Sequence, residues 1–157
     1  MKKALFYLIQ FTWGIVQNLI GLIGFLLLRK SRHERFANAV ITYVDTDKSF
    51  GGISLGIFIF VNAKKKEDWL HDTRIHEYGH TIQSVVLGPL YFPVIGIPSM
   101  IWCNFPPIVR YRKKNDVSYY TIYCEGWANI WGSRFSGQKF VTDELLQRGY
   151  FGKPLRQ

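Results

Sequence analysis

The chain has 157 residues, 48% of them apolar and 17% aromatic, yet it carries a formal net charge of +9. That length bounds it to a single domain over 1–157, large enough to bury a core and too small for an elaborate multidomain protease. The charge argues against a nucleic-acid partner by its distribution: cations cluster beside apolar runs, at Arg29-Lys30-Ser31-Arg32, Lys64-Lys65-Lys66 and Arg110-Tyr111-Arg112-Lys113-Lys114, rather than along one polar helix.

A basic remainder on so apolar a chain fits a membrane surface. Residues 4–28 carry no charge and are long enough to cross a hydrocarbon core as a helix. Lys2 and Lys3 precede them, as in a signal peptide. The apolar stretch is too long for a signal core, however, and Arg29-Lys30 follow where a small-residue cleavage site would stand. An uncleaved N-terminal membrane helix over 4–28 is expected. Gln10, Gln17 and Asn18 leave a second placement open, with the helix in the interface or its amides packed on the protein.

From Ala39 to Asn62 the pattern turns to β-branched and aromatic residues. Val40–Val44 and Ile53–Val61 read as two strands joined by a turn over Asp45–Gly52, an antiparallel β-hairpin at 39–62. An exposed strand edge just before the next helix can hold an extended peptide by backbone pairing.

That helix is expected over 68–87, capped by Asp68 or Asp72 and ended by Gly88-Pro89. It contains His76-Glu77-Tyr78-Gly79-His80. Residues four apart share a helix face, so His76 and His80 can grip one metal ion. Glu77 lies one residue round, where its carboxylate reaches a water on the metal rather than the metal itself. With four His in the chain, such spacing arises by chance on the order of one per cent of the time or less. The competing reading is a buried, hydrogen-bonded His pair or a structural metal site. Structural zinc favours Cys, and Cys103 and Cys124 offer no CxxC; both read as reduced packing residues. Gly79 costs about 1 kcal/mol in mid-helix relative to Ala, a cost that fits close approach of another backbone.

Thr81 to Val109 again carries no charge, but Pro89, Pro93, Pro98, Pro106 and Pro107 favour a broken or re-entrant hydrophobic segment over 88–109. If the basic flanks mark the cytoplasmic side, the site faces the cytoplasm. A last major helix is expected at 116–132, opened by Asp116 or Ser118, with a short one near Val141–Gln147 that Asp143 or Glu144 caps.

A catalytic metal needs a third protein ligand, and Glu125 is the best candidate, because a carboxylate among residues that bury wants a strong partner. The alternative is an ion pair with Arg74 or Arg134. Asn129, one turn on, is placed to hold the far nitrogen of a ligand imidazole. Tyr119, Tyr123, Tyr120 and Tyr78 are candidate oxyanion donors, with core packing as the alternative for each.

HEYGH followed by Glu125 and an amide at Asn129 resembles the gluzincin division of zinc metallopeptidases, in which HExxH precedes E-x-x-x-D on a later helix. The resemblance implies that His76, His80 and Glu125 bind zinc and that Glu77 is the general base. Asn129 stands where that family usually has Asp. The segment His76–Ser99 is also similar to small uncharacterised bacterial membrane proteins with the same HExxH block. The expectation is therefore a mainly helical α+β, membrane-associated, zincin-like domain with a small hairpin, which hydrolyses peptide or protein substrates at a lipid bilayer. A non-catalytic zinc-containing binding protein and an intramembrane protease are the alternatives. Oligomeric state is not legible.

Overall fold

The computed structural model describes residues 3–48 and 50–142; the short helix expected near Val141–Gln147, with Asp143 and Glu144, lies almost wholly outside them. Ten principal elements follow in order. They are α1 (Lys3–Thr12), α2 (Ile15–Leu27), β1 (Arg32–Phe36), β2 (Ala39–Val44), β3 (Gly52–Leu55), β4 (Phe58–Asn62), α3 (Glu67–Leu87), α4 (Ile97–Asn104), α5 (Pro106–Lys114) and α6 (Tyr123–Ser136).

The expected helix over 4–28 is two helices bent by 92°. The elbow at Trp13-Gly14 has a physical cause in the amides that the segment carries. Gln10, Gln17 and Asn18 are fully or almost fully buried and face the protein. Asn18 Nδ2 donates to Gln10 O at 2.8 Å, Gln10 Oε1 at 2.7 Å and Gly14 O at 2.8 Å, while its Oδ1 accepts from Ile57 N at 2.9 Å. Gln10 Nε2 reaches Thr81 O at 3.1 Å, and Gln17 Nε2 donates to Gly88 O. Satisfying buried amides outweighs helix continuity, since an unpaired one costs about 1–3 kcal/mol. Among the described residues no single helix is long and apolar enough to cross a membrane. Two bent pairs reach that length and composition together: α1 with α2, and Glu67–Leu90 with Phe92–Asn104, the latter bent by 120°.

The expected hairpin is part of a larger mixed sheet of order β1-β2-β4-β3. β1 pairs antiparallel with β2, and β3 antiparallel with β4, but β2 and β4 run parallel, from Val40 opposite Phe58 to Val44 opposite Asn62. The run Ile53–Val61 is split by a turn at Gly56, whose φ of +66° suits a residue without Cβ. The chain thereby forms the edge strand β3 first and folds back to insert β4 at the centre. All five β4 residues are buried. β1 was not expected, because its charged sequence RHERF hides a strand stabilised by pairing: Tyr43 OH donates to Glu34 Oε2 at 2.7 Å, and Arg74 lies 3.6 Å from Glu34.

The long helix α3 packs on the sheet through Leu70, Ile75, Tyr78, Ile82 and Val85. It starts at Glu67 rather than at an Asp cap. Asp68 lies in its first turn, and Asp72 is interior and buried, accepting from Val141 N at 2.8 Å and Thr142 N at 2.9 Å. The helix ends at Leu87, and Gly88, with φ of +51°, caps it. The proline-rich segment is broken as expected, into short turns followed by α4 and α5. α6 begins at Tyr123, later than expected, with Ser118 capping a separate short turn over Tyr119–Thr121.

Candidate metal centre

α3 and α6 cross with their backbones almost touching. A Cβ on Gly79 would lie 2.5 Å from Ala128 C and 2.7 Å from its Cα, and one on Gly132 would lie 2.9 Å from Ile75 C. Two glycines, one on each helix, let the axes approach closely enough for short side chains to meet. Glu125 falls in the first turn of α6, not in mid-helix, and points at the face of α3 that carries His76 and His80.

Three donor atoms converge there. His76 Nε2 lies 3.0 Å from Glu125 Oε2, His80 Nε2 lies 3.5 Å from it, and the two Nε2 atoms are 3.2 Å apart. Atoms bound to one zinc at about 2.0–2.1 Å in a tetrahedron lie about 3.3 Å apart. The three observed separations bracket that figure.

The protonation pattern sharpens the fit. Asn129 Oδ1 is 2.6 Å from His76 Nδ1, and Gln83 Oε1 is 2.7 Å from His80 Nδ1. Gln83 is fixed in this sense because its Nε2 donates to Cys124 O at 2.8 Å. An amide oxygen only accepts, so both imidazoles carry hydrogen on Nδ1 and turn Nε2 inward, where it can bind a metal ion or hold a proton against Glu125. Glu125 is fully buried, and its Oε2 takes no hydrogen bond. Two inward-facing nitrogens and a buried carboxylate oxygen therefore share one point, an arrangement that a positive charge, whether a proton or a metal ion, stabilises. Among the described residues this is the one group of His, Cys, Asp or Glu side chains that could hold a metal ion.

Arg74 is not the partner of Glu125. It pairs with Glu67 at 2.5 Å and Glu34 at 3.6 Å. Burial opposes charge on Glu125, but with His80 and His76 protonated the two imidazolium rings outweigh it and hold the carboxyl well below the usual range. Its other oxygen accepts from Cys124 Sγ at 3.8 Å, and burial pushes that thiol up to about 12, so it stays neutral. Burial likewise pushes Glu77 up to about 7, with His76 opposing and Glu125 adding to the rise.

Glu77, His76 and His80 open onto a cavity of about 410 Å³ between β3 and α4. Glu77 lies so close to the strand that a Cβ on Gly52 would be 2.5 Å from its Oε1. Of the candidate oxyanion donors, Tyr119 lines this cavity, whereas Tyr123 does not and donates its hydroxyl to Val94 O instead. Tyr78 is buried in the core with its hydroxyl 3.3 Å from Asn38 Nδ2, and Tyr120 packs edge-on against the His76 ring. Burial raises the Tyr119 hydroxyl, keeping it a neutral donor.

Two contributors escape a sequence reading. Gln83 is visible only as the residue three after His80, a spacing that many helical residues share. Tyr91, buried with its hydroxyl 3.4 Å from Ser54 O, reaches the cavity through a turn whose path no local pattern dictates. The remaining histidines are elsewhere: His33 lies 3.1 Å from Thr42 Oγ1, and His71 lies 3.0 Å from Lys139 O. No family model, curated protein or solved structure matches the chain.

Proposed function

We propose that the chain is a membrane-associated zinc metallopeptidase of gluzincin type, hydrolysing peptide bonds by a metal-activated water. The observation that carries this reading is the convergence of His76 Nε2, His80 Nε2 and Glu125 Oε2 on one point, with Glu77 beside them at an open cavity. A shell of two His and one Glu leaves a coordination position open, as catalytic zinc sites do.

His76, His80 and Glu125 would hold the ion, and Asn129 and Gln83 orient the two rings. Zinc there supplies Lewis acidity, which makes a water acidic near neutral pH and polarises an amide carbonyl. Glu77 accepts the proton of the attacking water and passes it to the leaving amine, a role suited to a carboxyl raised toward neutrality. The Tyr119 hydroxyl is the oxyanion donor in this scheme. β3, an edge strand on the cavity wall, can pair with an extended substrate backbone.

Attachment to a bilayer is supported by the apolar surface. Leu8, Ile23, Leu27 and Met100 are each more than half exposed, and basic residues Arg29, Lys30 and Arg110 to Lys114 follow the apolar helices. The same basic flanks support a cytoplasmic orientation of the site.

The test is a comparison in detergent of bound zinc and peptide-library cleavage for the parent, Glu77→Gln and Glu125→Ala. Zinc retained with cleavage lost in Glu77→Gln supports the enzyme. No cleavage by the zinc-loaded parent would favour a zinc-containing binding protein, and full occupancy in Glu125→Ala would remove Glu125 from the shell.

A further inference from the structure

We propose that the cavity selects an extended peptide segment whose side chains on both sides of the reacting bond are uncharged and apolar. This assignment rests on the peptidase reading above and adds its substrate class. The cavity has two facing walls. The β3 side supplies Phe50, Ile53 and Leu55, and the α4 side supplies Ile95, Ile97 and Met100. Among the described residues lining it, none is Lys, Arg or Asp, while the imidazoles of His76 and His80 are committed to the centre and the Glu77 carboxyl to proton transfer.

A charged side chain entering that space would leave water and find no counter-charge. A chain-terminal carboxylate would meet no cation apart from the metal centre itself, so the cavity suits a bond within a chain rather than one at its end. The apolar walls, by contrast, gain from every apolar side chain they cover. α4 extends the same character outward. Its sequence IPSMIWCN has no charge, and Met100 and Ile101 are 58% and 44% exposed. An apolar segment therefore passes from the outer surface of α4 to the metal centre along a wall without charge.

Cys103 provides a readout that is independent of turnover. It lines the cavity and is exposed, whereas Cys124 is buried. The experiment measures the alkylation rate of Cys103 in the zinc-loaded Glu77→Gln protein, which leaves peptides intact. The probes are blocked heptapeptides that carry Leu, Asp or Lys at the central positions. The Leu peptide is expected to protect the thiol at concentrations about a hundredfold below those needed for the Asp and Lys peptides. Equal protection by all three, protection by the charged peptides alone, or no protection by any would overturn the assignment. Met100→Glu, at an exposed position where folding tolerates charge, should narrow the Leu-over-Lys preference at least tenfold; an unchanged preference would also count against it. Leu-selective protection with no cleavage of the Leu peptide by the parent would refute the peptidase reading and leave the selectivity standing.

Discussion

Gly79→Ala tests whether the crossing of α3 and α6 builds the metal centre. The added methyl would lie 2.5 Å from Ala128 C and 2.7 Å from its Cα, where ordinary contact begins near 3.4 Å. Both neighbours are backbone atoms, so no side chain can swing away and the helices must part by about 1 Å. Overpacking of this kind costs about 1–3 kcal/mol, against at most about 1 kcal/mol regained from the better helix propensity of Ala. Global stability should fall by up to about 3 kcal/mol. The larger effect is on the metal. His76 and His80 ride on α3 and Glu125 on α6, so the 3.0 Å and 3.5 Å separations to Glu125 Oε2 open together with the 2.6 Å hydrogen bond that His76 Nδ1 donates to Asn129 Oδ1. Losing register with one ligand and one orienting amide should weaken zinc binding by at least about a hundredfold. Chelator competition and denaturant unfolding, each with and without zinc, measure the two effects. Gly96→Ala is the control, since its Cβ would lie no closer than 3.4 Å to Phe92 Cδ1. Parent-like zinc affinity in Gly79→Ala would refute the reasoning, because it would mean that the helices do not meet at this contact.

Asn129→Ala should leave the chain folded and lower zinc affinity by about 10–100-fold, as seen by chelator competition, because the His76 ring loses the acceptor that fixes its tautomer. Asn18→Leu removes four hydrogen bonds and strands the Ile57 N–H, so urea unfolding in detergent should show a loss of about 2–4 kcal/mol; unchanged stability would mean that α1 and α2 are a detachable anchor. Zinc at about one hundred times its dissociation constant should raise stability by about 2.7 kcal/mol, and the gain should vanish with a chelator; a melting temperature indifferent to zinc would argue against the centre. A reporter fused after residue 157 should be found in the cytoplasm; its detection on the outer face would reverse the orientation.

The candidate site was more legible than the fold around it. His76, Glu77 and His80 are tied by the helical repeat, which is local, so their spacing alone places the two imidazoles on one face and the carboxyl one residue round from it. Glu125 and Asn129 are likewise one helical turn apart, and their sequence was enough to nominate them. Gly79 announced a close contact because a mid-helix glycine is costly without one. The sheet was less legible, since β1 is charged and the parallel pairing of β2 with β4 depends on the turn at Gly56. The apolar run at 4–28 was misread as one helix because hydropathy sums over a window, whereas three amides, each needing a specific partner on α1, α3, the β3–β4 turn or Gly88, decided the bend.

The sequence by itself determined a helix that offers two imidazoles and a carboxylate to one point, and the amounts of charge and apolar surface around it. Only the tertiary structure decided that Glu125 arrives at that point, that Gln83 turns the His80 Nε2 inward, and that Tyr119 rather than Tyr123 faces the cavity. The division follows the range of the forces. Periodicity and propensity act within a few residues, while the crossing of α3 and α6 joins positions fifty residues apart through backbone contact and burial.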